Sequence, residues 1–321
     1  SGWASIQPSG AGQDQRRRMG AGASTAEKAN SVSVTPAAPT KPGTPAAPTK
    51  ETYAAREQNP VEHAVKEYGK DSHGMLSKLA AAEQTDEHAV PELQGAIFCG
   101  HLVADLDSVA GAIGAAELYG GVAARASEIN SETEFALEYW GVSLDTIRPV
   151  EALLEEKGEE ARVCLVDFQQ TTQLNPAIKQ SQIVGIIDHH ALQSSTIVTS
   201  KPIFVDIRAW GSMSSIVAHS FVMLKRPLPK PIAGLLLCAI LSDTLNLRSP
   251  TTTSWDRKIV AMLVQYCGVA DVNLLCAQQF KAKSRSLAAM EAHALCAGDL
   301  KQFKLGKDEG LVRRRATSPP P

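Results

Sequence analysis

From residue 92 onward, short apolar runs alternate with amphipathic stretches, and this alternation predicts βαβ units around a mostly parallel sheet. The runs that read as buried strands are Ala96–Gly100, Val122–Ala126, Val163–Asp167, Ile183–Asp188 and Ile203–Val205. Helices are expected over Ser108–Tyr119, Thr133–Trp140 and Ser214–Leu224. Asp107 and Ser108 are favourable capping types at the first of these, Gly120-Gly121 and Gly141 are stops, and Pro227 follows the third. Pro231–Leu241 is apolar nearly all round, which predicts a central helix. Upstream, residues 61–94 carry Val65, Leu76 and Leu79 at amphipathic positions and Pro91 as a stop, so a helical lead-in is expected beside the domain. The fold class is therefore α/β, a mostly parallel β-sheet flanked by helices, over residues 95–280.

Residues 1–60 lack hydrophobic periodicity and repeat Thr-Pro-Ala-Ala-Pro-Thr-Lys at 35–41 and 44–50, the composition of a disordered Ala/Pro/Thr-rich tail. The tail is poor in acidic residues and holds Arg16, Arg17 and Arg18, a weak likeness to an organellar transit peptide; an unstructured extension is the plainer reading. Were Met19 the initiator, Met19-Gly20-Ala21-Gly22-Ala23-Ser24 would fit an N-myristoylation pattern.

The chain of 321 residues is 44 % hydrophobic and 21 % charged, with a formal net charge of −2. That balance supplies no basic surface for nucleic acid, so an anionic substrate has to be met by a local site. The six cysteines form no CxxC pair and four of them lie in apolar runs, as expected for buried free thiols in a reducing compartment. The most apolar segment, Ile232–Leu241, is far too short for a membrane span, and a soluble, cytoplasmic protein is expected.

The polar residues that change this picture sit at the strand ends. His101-Leu102-Val103-Ala104-Asp105-Leu106-Asp107 follows the first strand, Asp167 ends the third and Asp188-His189-His190 ends the fourth. The carboxyl ends of parallel strands lie along one edge, so the three clusters converge by topology. Each has a plainer explanation alone: Asp107 as a helix cap, His101 as a surface residue, Asp167 as a turn cap. Two imidazoles beside a carboxylate at that same edge are poorly explained by core packing, however. Asp243, where the central apolar helix ends in Ser242-Asp243-Thr244, adds a charge that needs a partner. Imidazole with carboxylate suits a divalent ion such as Mn²⁺ or Co²⁺, and a carboxylate-rich pair of ions favours phosphoryl transfer to water. Hydrolysis of a phosphoanhydride or phosphodiester is the chemistry expected.

His101-x-x-x-Asp105-x-Asp107-Ser108, Leu165-Val166-Asp167, Asp188-His189-His190 and Leu241-Ser242-Asp243-Thr244, in this order, resemble the four signature motifs of the DHH phosphoesterase superfamily, most closely its manganese-dependent (family II) inorganic pyrophosphatases. Similarity continues through 130–137, 211–216 and 247–251, and covers residues 95–305. The resemblance implies one ion held by His101, Asp105 and Asp167 and a second held by Asp107, Asp167, His189 and Asp243, with Asp167 bridging. It implies a water activated between two ions, Mn²⁺ or Co²⁺ with Mg²⁺ accompanying substrate, that attacks pyrophosphate or polyphosphate. Asp107 and Asp167 are on this view catalytic, and His190 contacts the substrate phosphate and assists the leaving group. A homodimer is also implied.

Phe168-Gln169 departs from the His-Asn usual at that point in bacterial members. Residues 281–321 read as a linker and the beginning of a smaller C-terminal domain of the DHHA2-like kind, where Lys301 in Asp299-Leu300-Lys301-Gln302-Phe303 matches a substrate-gripping lysine. The later Arg/Lys pair of such domains has no counterpart. Residues 311–321 read as a disordered end in which Arg313–Arg315 are a solvated charge run, so ion binding is expected intact and turnover weakened. An exopolyphosphatase or nucleotide phosphodiesterase of the same superfamily, and a weakly active or non-catalytic metal-binding remnant, are the alternatives.

Overall fold

The computed structural model describes residues 59–83, 90–292, 300–305 and 308–313. The expectations for the N-terminal tail, including Arg16–Arg18 and Met19, and for Arg314, Arg315 and Cys296 lie outside these residues.

Six parallel strands form the main sheet: β1 Ile97–Cys99, β2 Val122–Arg125, β3 Arg148–Pro149, β4 Val163–Val166, β5 Ile183–Asp188 and β6 Phe204–Ile207, in the spatial order β3-β2-β1-β4-β5-β6. Eight α-helices accompany them among the described residues: α1 Pro60–Ala80, α2 Leu106–Tyr119, α3 Ser131–Trp140, α4 Val150–Lys157, α5 Met213–Met223, α6 Lys230–Asp243, α7 Ser254–Cys267 and α8 Val272–Ala289. Residues alternate in direction along each strand. Phe98, Cys164, Val166 and Ile187 enter the larger core with α2, α5, α6 and α7, whereas Ile97, Cys99, Val163, Leu165 and Ile186 enter the smaller one with Val150 and Leu153 of α4. Both faces are thus covered, as an all-parallel sheet requires.

The chain leaves β1 toward β2 and β3 on one side and runs from β4 to β5 and β6 on the other. The turning point of this order lies between β1 and β4, paired from Ile97↔Val163 to Cys99↔Leu165. The loops that leave the carboxyl ends of these two strands diverge, and the crevice between them is where doubly wound folds place ligands. His101 leaves β1 there and Asp167 leaves β4.

α6 is the central helix expected: Ala233 to Leu241 are all buried. Its Gly234 exists for packing. A Cβ at that position would stand 2.0 Å from Cδ2 of Trp140, whose indole N–H points to the Cys238 sulfur at 3.3 Å. Gly234→Ala is expected to destabilise the fold by about 1–3 kcal/mol through overpacking, seen as a lower urea midpoint at unchanged slope.

The structure corrects several expectations. α2 starts at Leu106, capped by Asp105, whose carboxylate accepts from Ser108 N at 2.9 Å while Ser108 Oγ receives Asp105 N at 3.1 Å; Asp107 and Ser108 lie inside the first turn. The last strand is Phe204–Ile207 instead of Ile203–Val205, an edge strand with Val205 turned outward. β3, two exposed residues with no apolar run, was not anticipated, nor were α4, α7 and α8. The lead-in helix buries Val61, Ala64 and Leu79 against α7 and leaves Val65 and Leu76 half-buried. Leu311–Arg313, read as part of an irregular end, belongs to β8 (Asp308–Arg313), which pairs antiparallel with β7 (Leu300–Leu305) and so satisfies backbone groups a lone tail would leave to water. Cys99, Cys164, Cys238 and Cys276 are buried free thiols and Cys267 is half-buried; burial pushes every one of these pKa values up, which makes them poor nucleophiles. Among the described residues no single helix is long and apolar enough to cross a membrane.

Candidate metal centre

Three loops and one helix end deliver the candidate side chains. β1 delivers His101 and the N-cap Asp105, and the first turn of α2 carries Asp107, which is fully buried. β4 is followed directly by Asp167, held at φ 69°, a left-handed conformation sparsely used outside glycine, with its N–H fixed to the Ile187 carbonyl at 2.9 Å. A strained backbone at a strand end fits a side chain whose direction matters. β5 delivers His189 and His190, and the last turn of α6 carries Asp243.

These side chains meet. His101 Nε2 lies 3.5 Å from Asp105 Oδ2 and 3.4 Å from Asp167 Oδ2. His189 Nε2 lies 3.2 Å from Asp167 Oδ1, 3.7 Å from Asp243 Oδ2 and 4.0 Å from Asp107 Oδ2. Among the described residues, two of the three groups with the spacing of a metal-ligand set are His101/Asp105/Asp167 and Asp107/Asp167/His189/Asp243, which have Asp167 in common. A third combination, Asp167/His189/His190, has similar spacing. The His190 Nδ1 atom is committed elsewhere, to Asp188 Oδ1 at 2.9 Å, so that this nitrogen donates a proton instead of offering a lone pair.

The donor set fits divalent cations on two counts. Asp167 Oδ1 and His189 Nε2 are buried and face each other at 3.2 Å without a well-formed hydrogen bond, a costly state for both unless a cation joins them. His189 Nδ1 donates to the Trp210 carbonyl at 3.0 Å, which fixes the tautomer and leaves the Nε2 lone pair facing the carboxylates.

Electrostatics agree. Burial opposes protonation of His101, yet Asp105 and Asp167 outweigh it and push its pKa up to about 11; burial likewise opposes protonation of His189, which Asp167 and Asp107 push up to about 10. Burial and then the other carboxylates raise Asp107 and Asp243, whereas for Asp167 the two imidazoles overcome burial and hold it below the usual carboxylate range. Four carboxylates around two imidazoles demand positive charge, supplied by protons or by metal ions.

Several contributors are given no role from the sequence, although most lie within the quoted motifs. Asp188 is fully buried, and one oxygen accepts from the His189 and His190 amides at 2.7 and 3.1 Å as well as from the His190 ring. Asp107 accepts from Ser212 Oγ at 3.0 Å and from the Met213 and Ser214 amides at 2.8 and 2.9 Å, so the N-terminus of α5 shares its negative charge. Lys283 Nζ, on α8, pairs with the buried Glu132 at 2.8 Å and donates to Ser242 at 3.0 Å, immediately behind Asp243. Asp256, in the first turn of α7, accepts from Gly211 N at 2.9 Å and Ser215 Oγ at 2.7 Å. Its spacing in Thr253-Ser254-Trp255-Asp256 is that of a capping box, the sequence signal that would have located α7. The substrate lysine expected at Lys301 lies on β7, and its side chain is outside the described residues.

Comparison with known proteins agrees with this geometry. Residues 96–240 match the DHH family, N-terminal domain. A manganese-dependent inorganic pyrophosphatase of Methanocaldococcus jannaschii is 31 % identical over 221 residues, 66 % of this chain and 68 % of that protein. One from Methanothrix thermoacetophila is 34 % identical over 210 residues, 64 % of each chain. The chain therefore spans about two thirds of the length of these relatives. A crystal structure of a Methanococcus jannaschii family II inorganic pyrophosphatase superposes with a TM-score of 0.56 at 29 % identity, covering 66 % of this chain and 69 % of that one. With three motifs at one sheet edge, the fourth meeting them from the end of α6, and these relatives, the chain belongs to the manganese-dependent (family II) inorganic pyrophosphatases of the DHH family.

Proposed function

We propose that the chain hydrolyses inorganic pyrophosphate to two phosphates at a centre of two divalent ions, Mn²⁺ or Co²⁺, with Mg²⁺ accompanying the substrate. His101, Asp105 and Asp167 would hold one ion, and Asp107, Asp167, His189 and Asp243 the other. The observation that carries this reading is the pair of ligand sets that share Asp167, with Asp167 Oδ1 and His189 Nε2 buried and facing each other without a well-formed hydrogen bond where the sets join. When bound, such ions supply Lewis acidity toward phosphate oxygens and toward the attacking water.

The chain's own residues supply the rest. Asp188 orients His190 through its Nδ1–H, leaving Nε2 free on a side chain that is 43 % exposed at the mouth of the site. His190 is assigned to the substrate phosphate and to the proton that the departing phosphate must receive. Lys301 is assigned to the substrate by resemblance. The names of the relatives favour pyrophosphate over polyphosphate or a nucleotide diester.

The test is phosphate release from pyrophosphate, tripolyphosphate and a cyclic nucleotide in parallel, with Mn²⁺, Co²⁺ and Mg²⁺ compared. Preferential, Mn²⁺-dependent release from pyrophosphate is expected; preference for either other substrate, or no release with any ion, overturns the reading. His190→Ala is expected to lower kcat by about 10²–10⁴-fold at unchanged Mn²⁺ affinity, which pairs a kinetic assay with an ion titration.

A further inference from the structure

The loop between β6 and α5 reaches Asp107 through Ser212 Oγ and reaches His189 through main chain. The Trp210 carbonyl takes the His189 Nδ1–H at 3.0 Å, and the Gly211 N–H of the same peptide unit is taken by Asp256 at 2.9 Å. That peptide plane is held at both ends, and turning it breaks both bonds. No side chain fits beside it, because a Cβ on Gly211 would stand 2.8 Å from Asp256 Oδ2.

The residue next to Asp256 grips the other side of the loop. The Trp255 indole stacks on that of Trp210 with centroids 5.1 Å apart and planes 13° from parallel. His219 sets its edge against both rings at 5.3 and 5.2 Å, and the Arg208 guanidinium lies 5.0 Å over Trp210. Arg208 is itself fixed by Asp206 at 2.8 and 2.7 Å and donates to His219 Nδ1 at 2.9 Å. Such stacking is worth little as a fold contribution at a site where Trp255 is 39 % exposed. As a constraint on one carbonyl it is worth more.

We propose that Trp255 is a positioning residue: by stacking on Trp210 it fixes the Trp210 carbonyl, which aims His189 Nε2 into the Asp107/Asp167/His189/Asp243 set and not into the His101 set. The inference rests on the two-ion reading above. A hydrogen-bonded partner behind a ligating histidine governs ion affinity by about 10–100-fold.

The test uses the full chain and Mn²⁺ titration read by the EPR signal of free ion. In a His101→Ala background, where the His189 set remains, Trp255→Ala is expected to weaken Mn²⁺ binding about 10–100-fold. Trp255→Phe, which keeps a stacking face, is expected to restore it to within about twofold of the background. In a His189→Ala background Trp255→Ala is expected to change nothing. Equal weakening in both backgrounds, or none in the first, overturns the inference while leaving the two-ion reading in place. If the parent chain binds no Mn²⁺, both fall. Should Trp255→Ala not fold, Trp255→Leu fills the space without a ring and serves as the deciding variant.

Discussion

Asp167→Asn is expected to lower pyrophosphate hydrolysis by roughly 10⁴-fold and to reduce the bound Mn²⁺ from two ions to at most one. Asp167 is the residue common to both ligand sets, with one oxygen 3.4 Å from His101 and the other 3.2 Å from His189. An amide keeps one acceptor but turns an NH₂ group toward the other ion and removes the negative charge. Loss of a bridging ligand forfeits several kcal/mol of transition-state stabilisation, and about 5.5 kcal/mol corresponds to four decades of rate. The variant is informative because it should fold. At φ 69° asparagine is among the residues best able to adopt the left-handed conformation, so backbone strain does not increase. Retention of activity to within tenfold of the parent, with two ions still bound, would remove Asp167 from its bridging role.

Chelation should produce the second large effect, a loss of stability whose size should grow with pH. In the metal-free fold the His101 and His189 pKa values stand at about 11 and about 10, above the roughly 6.5 of an unfolded imidazole. Each therefore contributes stability that is fully present below pH of about 6.5 and is lost as the pH rises toward the folded value, at up to roughly 1.4 kcal/mol per pH unit. The raised Asp107 and Asp243 carboxyls act in the same direction over a lower range, beginning near pH of about 4, while the lowered Asp167 contributes stability that is lost only as the solution is made strongly acidic.

Metal ions compete with those protons, so Mn²⁺ affinity should climb as pH rises, by up to about tenfold per pH unit for each imidazole displaced. With EDTA the melting temperature should fall between pH 7 and 9, and with saturating Mn²⁺ it should not. At a thousandfold excess over Kd each bound ion adds about 4 kcal/mol to stability. Thermal scans with and without EDTA at several pH values check this; a stabilisation by Mn²⁺ that shrinks as pH rises would contradict the assigned histidine ligands.

The parts of the fold legible in sequence are those in which burial is uniform. β1, β4 and β5 are covered on both faces and read as unbroken apolar runs, and α6 is apolar all round because it is enclosed. Edge strands lack that signature: β3 is exposed, and β6 shows outward-facing Val205 within a mixed run that displaced its boundaries. The candidate ligands His101, Asp105, Asp107, Asp167 and His189 were legible because each follows a strand, so parallel topology brings them to one edge, and Asp243 was legible as a charge that ends a buried helix. What surrounds them was not, because it works through backbone groups. The Trp210 carbonyl and the Met213 and Ser214 amides have no side-chain signal, and Asp188, singled out within Asp188-His189-His190, shows its orienting role only in its three hydrogen bonds.

Anomalous diffraction at the manganese edge from crystals grown with Mn²⁺ addresses the shared-carboxylate centre most directly. Two peaks roughly 3.5–4 Å apart are expected, one beside His101 and Asp105, the other beside His189, Asp107 and Asp243, with Asp167 touching both. A single peak that leaves either set vacant, or peaks that do not touch Asp167, would contradict it.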